Sequence, residues 1–422
     1  MASRSAKPGP LIPIPIATAT AAANIDVSPI INNVSLSLYG AATSTIPEGN
    51  LMISPLSILY STILVYLGSR GSTRTNLYNS LDFKELASSD SSPDIVTAFG
   101  KLMSDLKVTS AKEAGKSNDT DDNKFQLALA NGIFIRDGLN VDKTYLSTAN
   151  QNLKASVDSK NFNDNPEGAR ADINKWVEER TGGRIKNLIP SGALDGSTVA
   201  VLANAIYFKA RWENVFDDFL TEKNGTFTAQ NGKRVKAKLM RIRKKFSYAE
   251  DSTLGVQYLE MPYADNEASM LIYLPQTKTG LRQLEKSLTT QTIVDLAKTA
   301  QADDKVLVDV ALPKFRVESS FDLVQLLRKI GVNDVFTENA DLSGMLTSGS
   351  AQVSSGFHKT FIEVDEKGTE AAGANAMIEK ARSGHIGSQG RRVTFRADHP
   401  FIYAIRHNRS KAILFMGRLE TF

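Results

Sequence analysis

The chain has 422 residues, 41% of them hydrophobic and 23% charged, the balance of a folded soluble protein with one large domain or two to three ordinary ones. Its net charge of +4 is too small to argue for nucleic acid. With no cysteine, disulfides and thiolate metal sites are excluded, but the compartment is not decided.

In chain order, Met1 to Asn24 sets two prolines within an apolar run and then an Ala/Thr stretch. That run is too short to span a bilayer. Residues 1–25 are expected to be a disordered tail or an added extension rather than a signal peptide, with one domain over 26–422. No other window approaches a membrane span. Asp26-Val-Ser-Pro29 caps an expected helix through Tyr39. Asn50 to Tyr60 reads as a short strand and a Ser-Pro helix start, leading into a helix so apolar that it must be buried on most sides. Ile95, Phe99, Leu102 and Leu106 have helical spacing, whereas Thr109 to Lys124 is a polar loop.

Phe125 to Ile135 reads as a buried strand, and Ile173 to Pro190 as a helix ended by glycines. Val199 to Phe208 is a nearly continuous apolar strand interrupted by Asn204. Strand-like runs fill 226–277, followed by helix from Gly280 to Ala300, strand over Val306 to Phe315 and helix over 319–331. The tail from Asp398 reads as a buried hairpin. No internal repeat occurs.

The stretch from His358 to Arg392 changes mode part-way. Phe361 to Val364 suits the end of a buried strand. Then Glu366-Lys-Gly-Thr-Glu370 is followed by Ala371, Ala372, Gly373 and Ala374, a run tolerable in solvent and equally able to slip between strands. No His-Glu-x-x-His, Gly-x-Ser-x-Gly, Walker or Gly-x-Gly-x-x-Gly pattern occurs, so no enzyme is indicated. Of the four histidines, His399 and His407 read as structural, His385 as a solvated loop residue and His358 as a hydrogen-bonded core residue.

Glu366-Lys367-Gly368-Thr369-Glu370-Ala371-Ala372 resembles the hinge of a serpin reactive-centre loop. The resemblance extends to Asn50-x-x-x-Ser54-Pro-x-Ser57, Ile173 to Pro190, Asn204-Ala-Ile-Tyr-Phe-Lys-x-x-Trp212 and the C-terminal hairpin, in family order from about residue 27 to the end. It implies an α+β fold of about nine helices around a large central mixed sheet with two smaller sheets, and an exposed loop over about 366–392. If Gly368 is the fifteenth residue before the cut, the reactive bond is Arg382–Ser383, a target for trypsin-like serine proteases.

The family implies a suicide inhibitor that forms a covalent complex with its protease and works as a monomer, with no cofactor required. The alternative is a non-inhibitory serpin acting as chaperone, carrier or storage protein. A small hinge, with no proline or bulky charge at Thr369, Ala371 or Gly373, favours inhibition. Carried over, Ser54, Ser57, Asn204 and His358 would lie beneath the point where the sheet opens, and Trp212 would cap the region where insertion begins. Glu379 would point inward late in the inserted strand. Between Ser383 and Val393 the loop is longer than usual, and Lys380 and Arg391-Arg392 offer competing cuts.

Lys233, Arg234, Lys236, Lys238, Arg241, Arg243, Lys244 and Lys245 fall close together with no acid among them. Alternation in part of this run would put charge on one strand face. It reads as a solvated face or as a site for a heparin-like glycosaminoglycan. Secretion is favoured over the cytoplasm, a setting in which the sequons at Asn33, Asn118, Asn224 and Asn408 would matter.

Overall fold

A computed structural model of the chain describes residues 25–106, 108, 125–302, 305–369 and 391–422. The expected tail through Asn24, the polar stretch Thr109 to Lys124, and Glu370 to Gly390 lie outside the described residues. Nine α-helices occur among the described residues: α1 Ser28–Thr45, α2 Pro55–Gly68, α3 Gly71–Ser80, α4 Asp94–Asp105, α5 Lys143–Gln151, α6 Pro166–Arg180, α7 Leu281–Ser287, α8 Thr290–Ala302 and α9 Leu323–Lys329.

The strands are β1 Leu51–Ile53, β2 Gln126–Arg136, β3 Ser156–Lys160, β4 Ala200–Arg211, β5 Glu222–Thr228, β6 Arg234–Asp251, β7 Val256–Pro262 and β8 Ala268–Pro275. After them come β9 Val306–Pro313, β10 Phe315–Asp322, β11 Val353–Val364, β12 Gly368–Thr369, β13 Arg392–Arg396, β14 Phe401–His407 and β15 Ile413–Leu419. A six-stranded mixed sheet runs in the order β10-β11-β12-β4-β2-β3. The other strands form a nine-stranded sheet. The two smaller sheets expected are continuous within it through β6, whose first half pairs with β5 and β9 and whose end pairs with β7.

Strand alternation explains how the layers stack. In β4 the odd residues Val201, Ala203, Ala205 and Tyr207 pack under α6 with Ile173 and Val177. The even residues Ala200, Leu202, Ile206 and Phe208 join the main core with α2 and the nine-stranded sheet. Asn204 falls in the even row, so its amide is directed at α2 inside an otherwise apolar layer. Nearly every residue of α2 is buried, because sheets or helices cover it on all sides. Pro55 sits in its first turn, where its missing N–H costs nothing, and the Ser54 hydroxyl accepts from Ser57 N at 3.2 Å as the cap.

Three expectations are corrected. The helix expected over 319–331 is β10 as far as Asp322 and only then α9. Phe315, Val317, Ser319 and Phe321 alternate inward in β10, a two-residue period that overrides the local helical spacing. The helix expected over Gly280 to Ala300 is two helices, because Thr289 accepts from Thr292 N at 3.1 Å and starts a new one. The first helix runs on to Thr45 rather than ending at Tyr39.

Candidate functional site

Three neighbouring strands of the six-stranded sheet carry one polar residue each in the same lateral row. His358 of β11 lies opposite Asn204 of β4, which lies opposite Asn131 of β2. His358 Nε2 accepts from Ser54 N at 3.0 Å. Its Nδ1 therefore carries the ring proton and donates to Asn204 Oδ1 at 2.5 Å. Asn204 Nδ2 lies 2.6 Å from Ser57 O, 2.7 Å from Ser61 Oγ and 2.8 Å from Asn131 Oδ1. Ser57 Oγ is 3.0 Å from the carboxamide oxygens of both Asn131 and Asn204. Ser54 Oγ donates to Leu414 O at 2.7 Å, which ties the cluster to β15.

The amide of Asn204 thus has two protons for three acceptors, so more than one pairing is available at little cost. Asn131 and Ser61 complete this cluster and were missed in the sequence. Asn131 had the same signature as Asn204, a single carboxamide inside a buried apolar run. Replacing Asn204 with Ala strands the His358 N–H and the Ser61 hydroxyl in a dry interior. The expected loss is about 3 kcal/mol, which for a chain of this length lowers the melting temperature by about 3 °C in a thermal scan.

Burial pushes His358 down to about 3, so it is neutral in the folded state. The unfolded chain takes up that proton near pH 6.5, whereas the folded chain resists it until about pH 3. Stability is accordingly unaffected by this group above about pH 6.5 and falls by about 1.4 kcal/mol per unit below it. Denaturation midpoints between about pH 6.5 and 5, before most carboxylates titrate, measure the slope, and His358→Asn should remove this residue's share, leaving that of His407, which burial also pushes down.

At the far end of β4 the chain turns from β11 into β12. Asp365 shapes that turn: its Oδ1 accepts from Lys367 N at 2.8 Å and Gly368 N at 3.1 Å, and its own N–H donates to Gly368 O at 2.9 Å. Burial pushes the Asp365 carboxyl up. Trp212 holds the turn from below, donating Nε1 to Asp365 O and its backbone N to Lys367 O, both at 2.9 Å. Its ring stacks on Tyr263 with centroids 4.5 Å apart. Glu366 is buried, with its carboxylate paired to Lys314 and accepting from Thr221 Oγ1 at 2.9 Å. Burial alone would raise its pKa, but these partners hold it below the usual carboxylate range. Lys314, Thr221 and Tyr263 were not singled out in the sequence, and nothing local there marked them.

Gly368 and Thr369 enter the gap between β11 and β4. Thr369 lies opposite Val364 on one side and Ala210 on the other, antiparallel to both strands. It is fully buried, with Oγ1 2.7 Å from the Tyr263 hydroxyl. A Cβ on Gly368 would sit 2.2 Å from Ala210 O, so only glycine fits there. Beyond this point β11 and β4 pair directly in parallel, from Val353↔Ala200 to Phe361↔Tyr207. A strand wedge has thus begun in a sheet that is otherwise closed.

The serpin (serine protease inhibitor) profile matches residues 29–421. The chain belongs to the serpin family. It is 36% identical over 393 residues to the leukocyte elastase inhibitor of Sus scrofa, covering 92% of this serpin and 97% of that one. It is 33% identical over 384 residues to human serpin B4, covering 89% and 94%. Its structure resembles uncleaved ovalbumin, with a TM-score of 0.80 and 26% identity over 94% of this serpin and all of that chain. Cleaved Serpin 42Da matches with a TM-score of 0.78 and 30% identity over 95% and 99%. The expected α+β serpin fold holds, and a serpin is a protease inhibitor, not an enzyme. The expectation of secretion is overturned, because leukocyte elastase inhibitors and serpins B3, B4 and B11 point to the cytoplasm instead.

Of the remaining residues read from the sequence, Glu370, Ala371, Ala372, Gly373 and Ala374 of the hinge lie outside the described residues. So do Glu379, Lys380, His385 and the Arg382–Ser383 bond. His399 bonds Asp398 and Pro275 O, and His407 bonds Ser410. All eight cations of the basic run are exposed on or just before β6. They do not share one face. The step from Lys238 to Arg241 is odd, so alternation sets Lys236 and Lys238 opposite Arg241, Arg243 and Lys245. Burial agrees, changing from Ala237 and Leu239 on one side to Met240 and Phe246 on the other. Arg241 is paired with Glu222 at 2.7 Å, and Arg243 is paired with Asp309. No helix among the described residues is long and apolar enough to cross a membrane.

Proposed function

We propose that this serpin is a suicide inhibitor of trypsin-like serine proteases, cut at Arg382–Ser383. The protease serine oxygen attacks the Arg382 carbonyl, the Arg382–Ser383 peptide bond breaks, and Ser383 leaves as an amine carrying the proton. Arg382 remains as an ester on the enzyme. The freed strand continues β12 downward between β11 and β4, a form of strand addition of which serpin loop insertion is itself the usual example. About 15 residues at roughly 3.3 Å each carry the attached protease on the order of 50 Å.

The observation that supports this reading most is β12. Gly368 and Thr369 already run antiparallel to both neighbours, the direction an inserted strand must take, and the closed parallel ladder ahead is pinned by one polar row. The arginine before the cut sets the trypsin-like preference, whereas several relatives are named for elastase. The deciding experiment is incubation with trypsin-like and elastase-like proteases followed by denaturing electrophoresis. A detergent-stable complex with the former and a fragment beginning at Ser383 are expected. Clean cleavage without complex would reject the reading.

A further inference from the structure

The corner of the molecule beside the hinge carries features that holding the loop does not require. Phe219 is 93% exposed and Leu220 57%, in a short turn packed against β6. Large apolar side chains so exposed are two of only three on the described surface. Next to them the β5–β6 hairpin buries Phe227, Ala237 and Leu239 and turns Arg234, Lys236 and Lys238 to solvent, with Lys233 in the turn. These four cations make no ion pair among the described residues. Of the acids here, Glu222 is held by Arg241 and Arg396 and Asp217 caps the turn through Phe219 N, while Asp218 beside Phe219 is exposed, a single negative charge against the four cations.

Both features connect to the loop. Lys314 donates its backbone N to Lys238 O at 2.9 Å and holds Glu366 with its ammonium, while Thr221, two residues after Phe219, bonds the same carboxylate. The loop leaves at Thr369 and returns at Arg391 into β13, which pairs with β9, the neighbour of β6. An enzyme seated between those two ends faces this corner.

We propose that Phe219, Leu220 and the cations Lys233, Arg234, Lys236 and Lys238 form an exosite for an acidic surface beside the active site of the engaged protease. This rests on the reading of the loop as the protease's target. The cations raise the encounter rate and orient the partner, while Phe219 supplies an apolar anchor that is buried only in the complex.

The test measures non-covalent binding to anionic and cationic trypsins whose serine nucleophile is replaced by Ala, so that acylation and trapping play no part. At low salt, Lys236→Glu/Lys238→Glu is expected to bind the anionic form about tenfold more slowly than the unaltered serpin, with the difference closing at about 0.5 M salt. Phe219→Ser is expected to bind about threefold more weakly at either salt. Cationic trypsin should not distinguish the charge variant in this direction. Equal rates and affinities for anionic trypsin overturn the proposal. So does a charge variant whose only loss is retention on heparin resin, which would assign the face to a sulfated polyanion. Failure of active protease to form a detergent-stable complex would strike the trapping reading alone.

Discussion

Serpin nicked at Arg382–Ser383 is expected to melt about 10 °C above the intact chain. In the intact protein β11 and β4 share one parallel ladder below Thr369. An inserted strand replaces that ladder with two antiparallel ones, for a net gain of roughly ten hydrogen bonds at about 1 kcal/mol each. Unfolding entropy scales with length, so for 422 residues each kcal/mol is worth about 1 °C. Parting the strands does not add a large opposing term, because the polar row of His358, Asn204 and Asn131 can exchange partners as it moves.

On the proposed mechanism, insertion beyond Thr369 is blocked before cleavage by the loop's attachment at both ends. The loop is fixed at Arg392, where Asp309 accepts from its Nε at 2.8 Å, and at Glu366 by Lys314. On the proposed mechanism a tethered segment cannot thread its length into the gap, so the intact fold is expected to lie above its free-energy minimum and to be held there kinetically. Thermal scans of intact and nicked protein, run at one scan rate, decide the matter. Coincident transitions would mean that the sheet gains nothing from the loop, and trapping by insertion would then have no source of work.

The residues legible in the sequence were those whose local pattern and structural role coincide. The buried run of β4 with its lone Asn204 and the Ser54-Pro55 start of α2 each mark themselves over a few positions. β10 did not, because Phe321 and Leu323 to Leu327 fit a helix until pairing with β11 imposes a two-residue period as far as Asp322. The clamp on the hinge was illegible for a different reason. Glu366, Lys314, Thr221 and Tyr263 come from four segments, and only the fold brings them together. The basic run shows the converse, since its one-dimensional clustering is split by strand alternation and partly neutralised by Glu222 and Asp309. Compartment was misread because a chain without cysteine carries no redox signature in either direction.

Thr369→Arg is expected to convert the inhibitor into a substrate. Thr369 is fully buried, its hydroxyl sits against the Tyr263 phenol, and that phenol stacks on Trp212. Of the carboxylates in the turn before it, Glu366 is already committed to Lys314 and Thr221, and Asp365 to the backbone N–H groups of Lys367 and Gly368. A guanidinium at 369 would therefore enter the sheet unpaired, at a cost of roughly 3–5 kcal/mol, and Tyr263 would lose its partner. Entry of residue 369 precedes that of every later residue, so the penalty is felt at the first step of insertion. About 3 kcal/mol there slows insertion by roughly a hundredfold, while deacylation of the protease is untouched. The arginine can stay in solvent while the loop is intact, so Arg382 should be cut at an undiminished rate and position. Electrophoresis should show cleaved serpin and free active protease in place of the detergent-stable complex. A complex formed as efficiently as with threonine would mean that strand growth from β12 is not what captures the enzyme.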